Sequence, residues 1–319
     1  MKKQARKMIA ISFVAQGFPK KMVAEMLDVD RSIFYYKSSS SGIKGKKKST
    51  ETLTKYGEVV SNKQVIKDIK DLLEIEFVDY GYLKVTHWLR QNKDYIINPK
   101  KVYRLMSENG LLNKIVKKKN KRRNWVKDLL PPTEKAFDYL EFDIKYFYVA
   151  GLNRNALLLT IIDVKTRWVL GHYLSWEIKK GDVIKLFDQL FEVYPFPEHF
   201  YVRNDNGSQF IASIVQEYFE FKNVTQEFCK PATPEQNAHI ESYHSIQERV
   251  ICQKYEFESL EEIQETLNRF VIFYNFKRIH SGIGYTAPIK ELEKNDIFIK
   301  SEDANLALDC SSLEIGCLV

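Results

Sequence analysis

Cysteine is scarce in this 319-residue sequence, and none of its four cysteines belongs to a C-x-x-C pair. We therefore expect neither a zinc knuckle nor a disulfide scaffold in a chain of this length. No run approaches the roughly 18 consecutive apolar residues of a membrane span, and the basic N-terminus lacks the cleavage site of a signal peptide. The sequence predicts a soluble cytoplasmic protein with reduced thiols and no membrane partner.

Several catalytic motifs are also missing. The sequence contains no G-x-x-x-x-G-K-[ST] loop, so ATP use is not indicated. No H-H-C-C set of zinc ligands is present, and no arginine-rich set accompanies the tyrosines to suggest a tyrosine nucleophile.

Positive charge is concentrated in the first part of the chain. Residues 1–135 hold 31 Lys and Arg against 14 Asp and Glu, a net charge of +17. The other 184 residues hold 18 against 28, a net charge of −10, and the two parts sum to +7. This asymmetry suggests a part that binds a polyanion, joined to a different module. Solubility alone is the alternative explanation.

Residues 1–36 show the spacing of short helices around a tight turn. Asp30 is placed to cap the stretch RSIFYYK, and two short helices joined in this way are typical of a helix-turn-helix. Arg31 is then a candidate DNA contact, while a small helical bundle without that role is the alternative. A flexible Ser/Lys linker is predicted for residues 37–61.

A second helical unit is predicted for residues 62–112. Its third helix has Asn98 as the N-cap, Pro99 at the first position and Gly110 after the end. A packed or solvated role is favoured for His87. Cations on one face of the third helix are candidate phosphate contacts: Lys100, Lys101 and Arg104.

A basic connecting segment follows at residues 113–135. Its like charges are dense enough to repel one another, so we expect it to order only against a polyanion. A plain solvated or targeting segment is the alternative. The candidate DNA contacts in this segment are Lys117, Lys118, Lys119, Lys121, Arg122 and Arg123.

The pattern changes to β after Pro131 and Pro132. Three strands with apolar alternation or apolar runs are followed by helix, strand, helix, strand and a long helical region. This order predicts a mixed α/β sheet with helices on its faces.

Three acids stand out within that sheet. Asp143 lies between apolar residues in the first strand, Asp205 lies at the tip of the fourth strand in YVRNDNGSQF, and Glu241 lies on the following helix. Each has an ordinary explanation alone: an edge charge, a turn and a solvated helix face. Together they make sense as ligands of two divalent cations, Mg²⁺ or Mn²⁺, which serve in-line phosphoryl displacement.

Several stretches of the sequence, taken together, resemble a single protein family. They are FDIKYF, RNDNGSQF, KPATPEQNAHIESYHS, FYNFKRIHSGIGYTAP and, upstream, YGYLKVTHWLRQ with NPKKVYRLMSENGLL. In these the chain resembles the OrfB-type transposases of bacterial insertion sequences. They belong to the DDE superfamily, with the ribonuclease H-like fold of retroviral integrases. The resemblance covers residues 62–292 well and residues 5–36 loosely.

The resemblance implies an α/β fold: a ribonuclease H-like catalytic core at 136–292, preceded by all-α helix-turn-helix-type DNA-binding units. It implies Asp143, Asp205 and Glu241 as catalytic and metal-binding residues in DNA cleavage and strand transfer. The implied partners are double-stranded DNA, as terminal inverted repeats and target, and further copies of the chain on that DNA. A companion helix-turn-helix protein is left open, and a nucleoid location is expected.

The chain departs from the family at two places. Asn204 stands where Ser or Thr is usual, and Glu248 stands where a basic residue is common, so the DNA contact is assigned to Arg249 instead. Residues 293–319 match nothing in the family. An inactive DNA-binding regulator and a structure-specific nuclease of the same fold are the alternative functions.

Overall fold

The chain divides into two compact units, Met1–Ser49 and Thr50–Val319. None of the helices that the structure describes is both long and apolar enough to cross a membrane. The structure is a computed structural model, and it describes these ranges: 3–35, 48–113, 133–230 and 234–299. Most of the predicted C-terminal tail lies outside them.

The first unit begins with two helices, α1 (Lys3–Ala15) and α2 (Lys20–Met26). The side chain of Asp30 accepts a hydrogen bond from the Ser32 N–H at 2.7 Å, which confirms the predicted cap. The helix that follows this cap is shorter than predicted, because the described residues form only the four-residue 3₁₀ turn Arg31–Phe34.

The second unit opens with a small antiparallel sheet in the order β2-β1-β3. Its strands are β1 (Glu51–Thr54), β2 (Val59–Ser61) and β3 (Tyr95–Ile96). The linker prediction is therefore wrong from Glu51 onward, and this unit is not all-α. Gly57 closes the hairpin at a positive φ of 86°. Exposed and buried residues alternate along β1, but the strand is only four residues long and follows a Ser/Lys-rich stretch, so the alternation was not recognised in the sequence.

Three helices complete this unit as predicted: α3 (Asn62–Glu74), α4 (Tyr82–Asn92) and α5 (Pro99–Glu108). The side chain of Asn98 accepts the backbone N–H two residues ahead at 2.9 Å. Gly110 has a φ of +68° just beyond α5, where a residue with a Cβ would be strained. Both ends of α5 are thus specified locally by the sequence.

A five-stranded sheet forms the centre of the second unit, in the order β6-β5-β4-β7-β8. Strand β4 is central, antiparallel to β5 and parallel to β7. Its strands are β4 (Tyr139–Val149), β5 (Arg154–Asp163), β6 (Val169–Ser175), β7 (Phe200–Asn204) and β8 (Val224–Phe228). The helices are α6 (Lys180–Val193), α7 (Ser213–Phe221), α8 (Ala238–Gln247), α9 (Leu260–Phe276) and α10 (Pro288–Glu293). The predicted mixed α/β sheet is confirmed.

Strand β4 directs alternate side chains to opposite faces of this sheet. Leu140 and Phe142 are fully buried on the face that α6 and α7 cover, and Phe142 packs against Phe187 and Phe219. The odd-numbered residues point the other way, and Glu141 bonds the start of α8. The acidic residues of β4 therefore face α8.

The helical unit and the sheet share one hydrophobic core. The ring of Phe77 contacts Phe270 and Phe273 of α9, with centroids 5.4 and 6.0 Å apart. The buried face of helix α9 is part of this core. Burial of apolar surface thus joins the two predicted domains.

Candidate active site

The register of β4 and β7 brings the first two predicted acids together. The parallel pairs Leu140↔Val202 and Glu141↔Arg203 both have an offset of 62 positions. Adding 62 to 143 gives 205, so Asp205 continues this register beside Asp143, one residue beyond the end of β7. The two acids meet because β4, the first strand of this sheet along the chain, is its central strand and pairs with β7.

Asp143 lies in an unfavourable environment for a negative charge. Burial raises the pKa of its carboxyl to about 7, although the Ile144 N–H bond acts to lower it. The charges of Asp205 and Glu141 also raise this pKa. A partly buried carboxylate whose pKa is raised in this way is suited to a cation.

Asp205 is both a turn residue and a member of this acidic pair. Its Oδ1 accepts the Gly207 N–H at 2.9 Å, the local bond expected for Asp in a turn. A Cβ on Gly207 would lie 3.0 Å from the same oxygen and 2.6 Å from Nε2 of Gln209. The DNGSQ sequence thus keeps the backbone close to the Asp205 carboxylate.

Glu141 was missed by the sequence analysis. Its carboxylate is buried and accepts the backbone N–H groups of His239 and Ile240 at 2.8 and 2.9 Å. Its other oxygen lies 2.8 Å from Nδ1 of His239. These bonds satisfy the N-terminus of α8, where a negative charge is favourable. Its place two residues before Asp143, on the same face of the strand, was the available signal.

Helix α8 carries Glu241 and, one turn later, His244. Nδ1 of His244 lies 3.6 Å from Oδ2 of Asp143, so this helix crosses the strand at the acidic pair. Burial, and then the charge of Lys145, lowers the pKa of His244 to about 3, which keeps its ring neutral. The ring of His244 is largely buried, with 13% of the side chain exposed.

Glu241 is exposed, and its carboxylate is not gathered with the other two. Across the described ranges, no three His, Cys, Asp or Glu side chains form a group that could hold a metal ion. The structure therefore brings Asp143 and Asp205 together and places Glu241 on the adjoining helix, one turn from a contact with Asp143.

A buried arginine supports the loop before α8. Arg203 donates to the Gln236 carbonyl at 2.9 Å and to Oε2 of Glu227 at 2.7 Å. The Tyr139 hydroxyl donates to the same Glu227 oxygen at 2.5 Å. Strands β4, β7 and β8 are thereby linked to the segment that leads into Glu241.

The predicted DNA contacts have different surroundings. Arg31 and Lys100 are exposed. The ammonium of Lys101 donates to the Glu51 carbonyl and to Oγ1 of Thr52 at 2.8 Å, so it holds β1 rather than projecting outward. The predicted phosphate contact of Lys101 remains a prediction beside this structural role, and its place on a helix face did not reveal the neighbouring hairpin. Arg104 is partly buried.

Two further predictions have different outcomes. The contacts assigned to the basic segment lie outside the described residues, namely Lys117, Lys118, Lys119, Lys121, Arg122 and Arg123. Arg249 is described, and its Nε and Nη2 donate to Oδ2 of Asp79 at 3.0 and 2.9 Å. Its predicted DNA contact remains a prediction, beside a structural role in joining the end of α8 to the helical unit.

Comparison with known families agrees with this architecture. The integrase core domain family matches residues 133–234, and a second integrase core domain family matches residues 222–288. An HTH-like domain family matches residues 61–119. The three matches define a protein with an HTH-like domain followed by an integrase core.

Relatives of known name support the same class. The transposase for insertion sequence element IS904 of Lactococcus lactis is 26% identical over 227 residues, covering 67% of this chain and 87% of that protein. InsK of Escherichia coli, named as a transposase for IS150, is 25% identical over 296 residues, covering 89% and 96%. In both domains the chain is similar to insertion-sequence transposases, and its core matches the integrase core domain.

Solved integrase structures show only a distant likeness. The HTLV-2 integrase catalytic core domain in complex with magnesium is 12% identical, with a TM-score of 0.37 over 48% of this chain and 94% of that one. The catalytic core domain of BIV integrase is 17% identical, with a TM-score of 0.39 over 50% and 97%. The family assignment rests on the sequence matches.

Proposed function

We propose that this transposase cleaves and joins DNA strands at the ends of an insertion sequence, using Asp143, Asp205 and Glu241. The observation that carries the proposal is the parallel register of β4 and β7, which sets Asp205 beside Asp143 on the face covered by α8. Strand β4 carries the first acid, the turn after β7 carries the second, and a helix anchored to β4 carries the third.

Integrase core domains depend on metal ions, and the acids of this site fit such an ion. Asp143 and Asp205 supply hard carboxylate oxygens. The charge of Asp205 adds to burial in raising the pKa of Asp143, as expected for two carboxylates that lie close together. We assign the ligand role to Asp143, Asp205 and Glu241, with Mg²⁺ or Mn²⁺ and two ions. Such ions, when bound, activate the attacking water or 3′-hydroxyl and stabilise the leaving oxygen.

Other side chains of the site have positioning roles in this proposal. Glu141 fixes the N-terminus of α8 through two backbone N–H groups, and so determines where Glu241 stands relative to β4. His244 is neutral and lies against Asp143, so it can share a hydrogen bond with that carboxylate but adds no positive charge.

The partners follow from the architecture. The HTH-like domain and the net charge of +17 on residues 1–135 are suited to double-stranded DNA, both element ends and target. Two ends must be held together while one strand attacks another, so we propose at least a dimer assembled on DNA. A nucleoid-associated location in the cytoplasm accompanies this proposal.

The test compares matched variants in a joining assay with labelled end DNA and Mg²⁺. Asp143→Asn, Asp205→Asn and Glu241→Gln remove charge with little change in volume, so each should abolish joining while DNA binding persists. Glu217→Gln, on the exposed face of α7, is the control and should join normally. Near-normal joining by one of the three variants would remove that residue from the site.

The same assay separates the alternative functions. Cut DNA without joined product would identify a nuclease. Binding without cutting by the unmodified protein would identify a DNA-binding regulator. Joined product that is lost in all three variants supports the proposal.

A further inference from the structure

A cavity of about 330 Å³ lies where α4 meets the segment that follows α9. The charged side chains of its lining are three cations, Lys84, Arg249 and Arg278, and one acid, Asp79. One carboxylate cannot balance three cations, so the cavity has excess positive charge. An electropositive concave site attracts anions.

Arg278 has free hydrogen-bonding capacity at this cavity. Only 1% of its side chain is exposed, and its Nη2 donates to Oδ1 of Asp79 at 2.6 Å. Its Nε and Nη1 have no hydrogen-bond partner. Buried donors are nearly always paired in proteins, and Arg278 is a lining residue of the cavity, so its two unpaired donors favour a ligand with acceptor oxygens beside it.

Lys84 lies close enough to Arg278 for the two positive charges to repel each other, so an anion would stabilise both. Its ammonium lies 5.3 Å from the centroid of the Tyr80 ring. Burial, and then the charge of Arg278, lowers the pKa of Lys84 to about 7, while Asp79 acts to raise it. An anion in the cavity would raise this pKa again and keep the ammonium charged.

The N-terminus of α4 opens on the same cavity. Gly81 is the N-cap of this 11-residue helix, and no side chain caps it. Gly81, Tyr82 and Leu83 all line the cavity. The first N–H groups of a helix and its dipole favour an anion there, so they add to the two cationic side chains.

We propose that this cavity binds a phosphate group of the DNA backbone, held by Lys84, Arg278 and the first N–H groups of α4. Gly81, Leu83 and Ser281 are exposed at the cavity, which leaves room for a phosphate that is part of a chain. The identification of the source as DNA rests on the proposed function. The HTH-like match includes Lys84 and the second core match includes Arg278, so one phosphate would contact both domains.

The test measures DNA affinity of the full chain by fluorescence anisotropy, in EDTA so that no strand is cut. The variants are Lys84→Gln, Lys84→Arg and, as a control, Lys222→Gln. Lys222 also lies over aromatic rings, 5.0 Å from the Phe191 centroid, but is distant in sequence from both parts of the cavity. Thermal unfolding in sodium phosphate and in sodium chloride of equal ionic strength is measured for each protein.

Lys84→Gln should bind the duplex roughly ten- to a hundredfold more weakly, the loss expected for a charged hydrogen bond. The slope of log K against log salt should fall by about 0.9, one phosphate contact. Lys84→Arg should keep the slope, and Lys222→Gln should match the unmodified protein.

Other outcomes overturn the inference at different points. If the unmodified protein binds DNA and Lys84→Gln binds equally well with the same slope, the phosphate site is wrong while the proposed function stands. If phosphate stabilises the unmodified protein but not Lys84→Gln, and DNA affinity is unchanged, the site takes free phosphate and not DNA. Failure of the unmodified protein to bind DNA overturns the proposed function and the DNA assignment together.

Discussion

Two charged sites in the second unit differ in sign: one has an excess of negative charge and the other an excess of positive charge. Within β4 and at the tip of β7, Asp143 lies with Asp205 and Glu141, and burial together with these negative charges raises the pKa of Asp143. At the cavity beside α4, Lys84, Arg249 and Arg278 outnumber Asp79, and burial with positive charge lowers the pKa of Lys84. The first site is suited to a cation and the second to an anion.

The comparison distinguishes charged side chains with a structural role from charged side chains that are available to bind a ligand. Asp79 and Glu141 each have paired hydrogen-bond partners and hold distant segments together. The pKa of Asp143 is raised and that of Lys84 is lowered, so in both cases the charged form is disfavoured, and each residue lies in a site whose own charges repel its charge. Perturbed groups of this kind are concentrated at functional sites.

The largest effect on stability is expected at Asp79. Asp79→Asn removes the carboxylate that Arg249 and Arg278 share and leaves a buried guanidinium without its anion, so the free energy of unfolding should fall by about 3–5 kcal/mol. Urea denaturation measures the change, and Asp71→Asn on the exposed side of α3 is the control. A loss no larger than that of the control would mean that the cation cavity tolerates its charge without Asp79.

A smaller loss of stability but a clear loss of activity is expected at Glu141. Glu141→Ala leaves the N–H groups of His239 and Ile240 unpaired in a buried position, which should cost about 1–3 kcal/mol. Joining should fall roughly 10–100-fold, as for other supports of metal-site residues. The KM for DNA should change little, since Glu141 contacts only α8. Unchanged joining at a temperature where the variant is folded would contradict its positioning role.

The acidic site should also make stability depend on pH. The pKa of Asp143 is raised from 3.8 to about 7 in the folded protein, so the folded state binds this proton more tightly than the unfolded state does. In EDTA its contribution is therefore present below about pH 4 and is lost as pH rises through 7. Asp143→Asn should then be more stable than the unmodified protein above pH 7, by on the order of 1 kcal/mol.

Thermal unfolding in EDTA across this pH range checks the sign. The difference between the two proteins should disappear toward low pH, where Asp143 is protonated in both states. A variant that is less stable at high pH, or a difference that does not change with pH, would contradict the raised pKa.

The smallest effect on the free energy of unfolding is expected where one positive and one negative side chain form a simple ion pair. Lys145 and Glu248 form an ion pair at 2.9 Å near the π-helical turn that extends α8, and Glu248 is about half exposed. Lys145→Gln should change the free energy of unfolding by only about 0.2–1 kcal/mol. Lys290→Gln, which breaks the exposed pair with Glu293, gives the reference value in the same urea titration. A loss well above that reference would mean that Lys145 has a further partner at the acidic site.

Local patterns in the sequence predicted much of this arrangement. Alternation placed Asp143 in a strand, turn residues placed Asp205 at a strand tip, and the N-cap and glycine around α5 fixed its ends. The order of elements predicted the mixed sheet, whereas the central position of β4 is a finding of the structure. Glu141 was within reach of the same alternation, because residues two apart on a strand share a face.

Contacts between distant segments could not be predicted in this way. Asp79 meets Arg249 and Arg278 across 170 and 199 positions, and no periodicity connects them. The hairpin at β1 and β2 is too short to stand out beside a Ser/Lys-rich stretch, so its bond to Lys101 was missed as well. Tertiary packing, and not local propensity, determines both features.

The most direct test of the central claim measures the effect of Mg²⁺ on thermal unfolding above neutral pH. An ion that binds only the folded protein raises its unfolding temperature in proportion to its binding free energy. The unmodified protein and Glu217→Gln should be stabilised as Mg²⁺ replaces EDTA, whereas Asp143→Asn and Asp205→Asn should not respond. An equal Mg²⁺ response in all four proteins would show that the acidic pair of β4 and β7 is not the metal site.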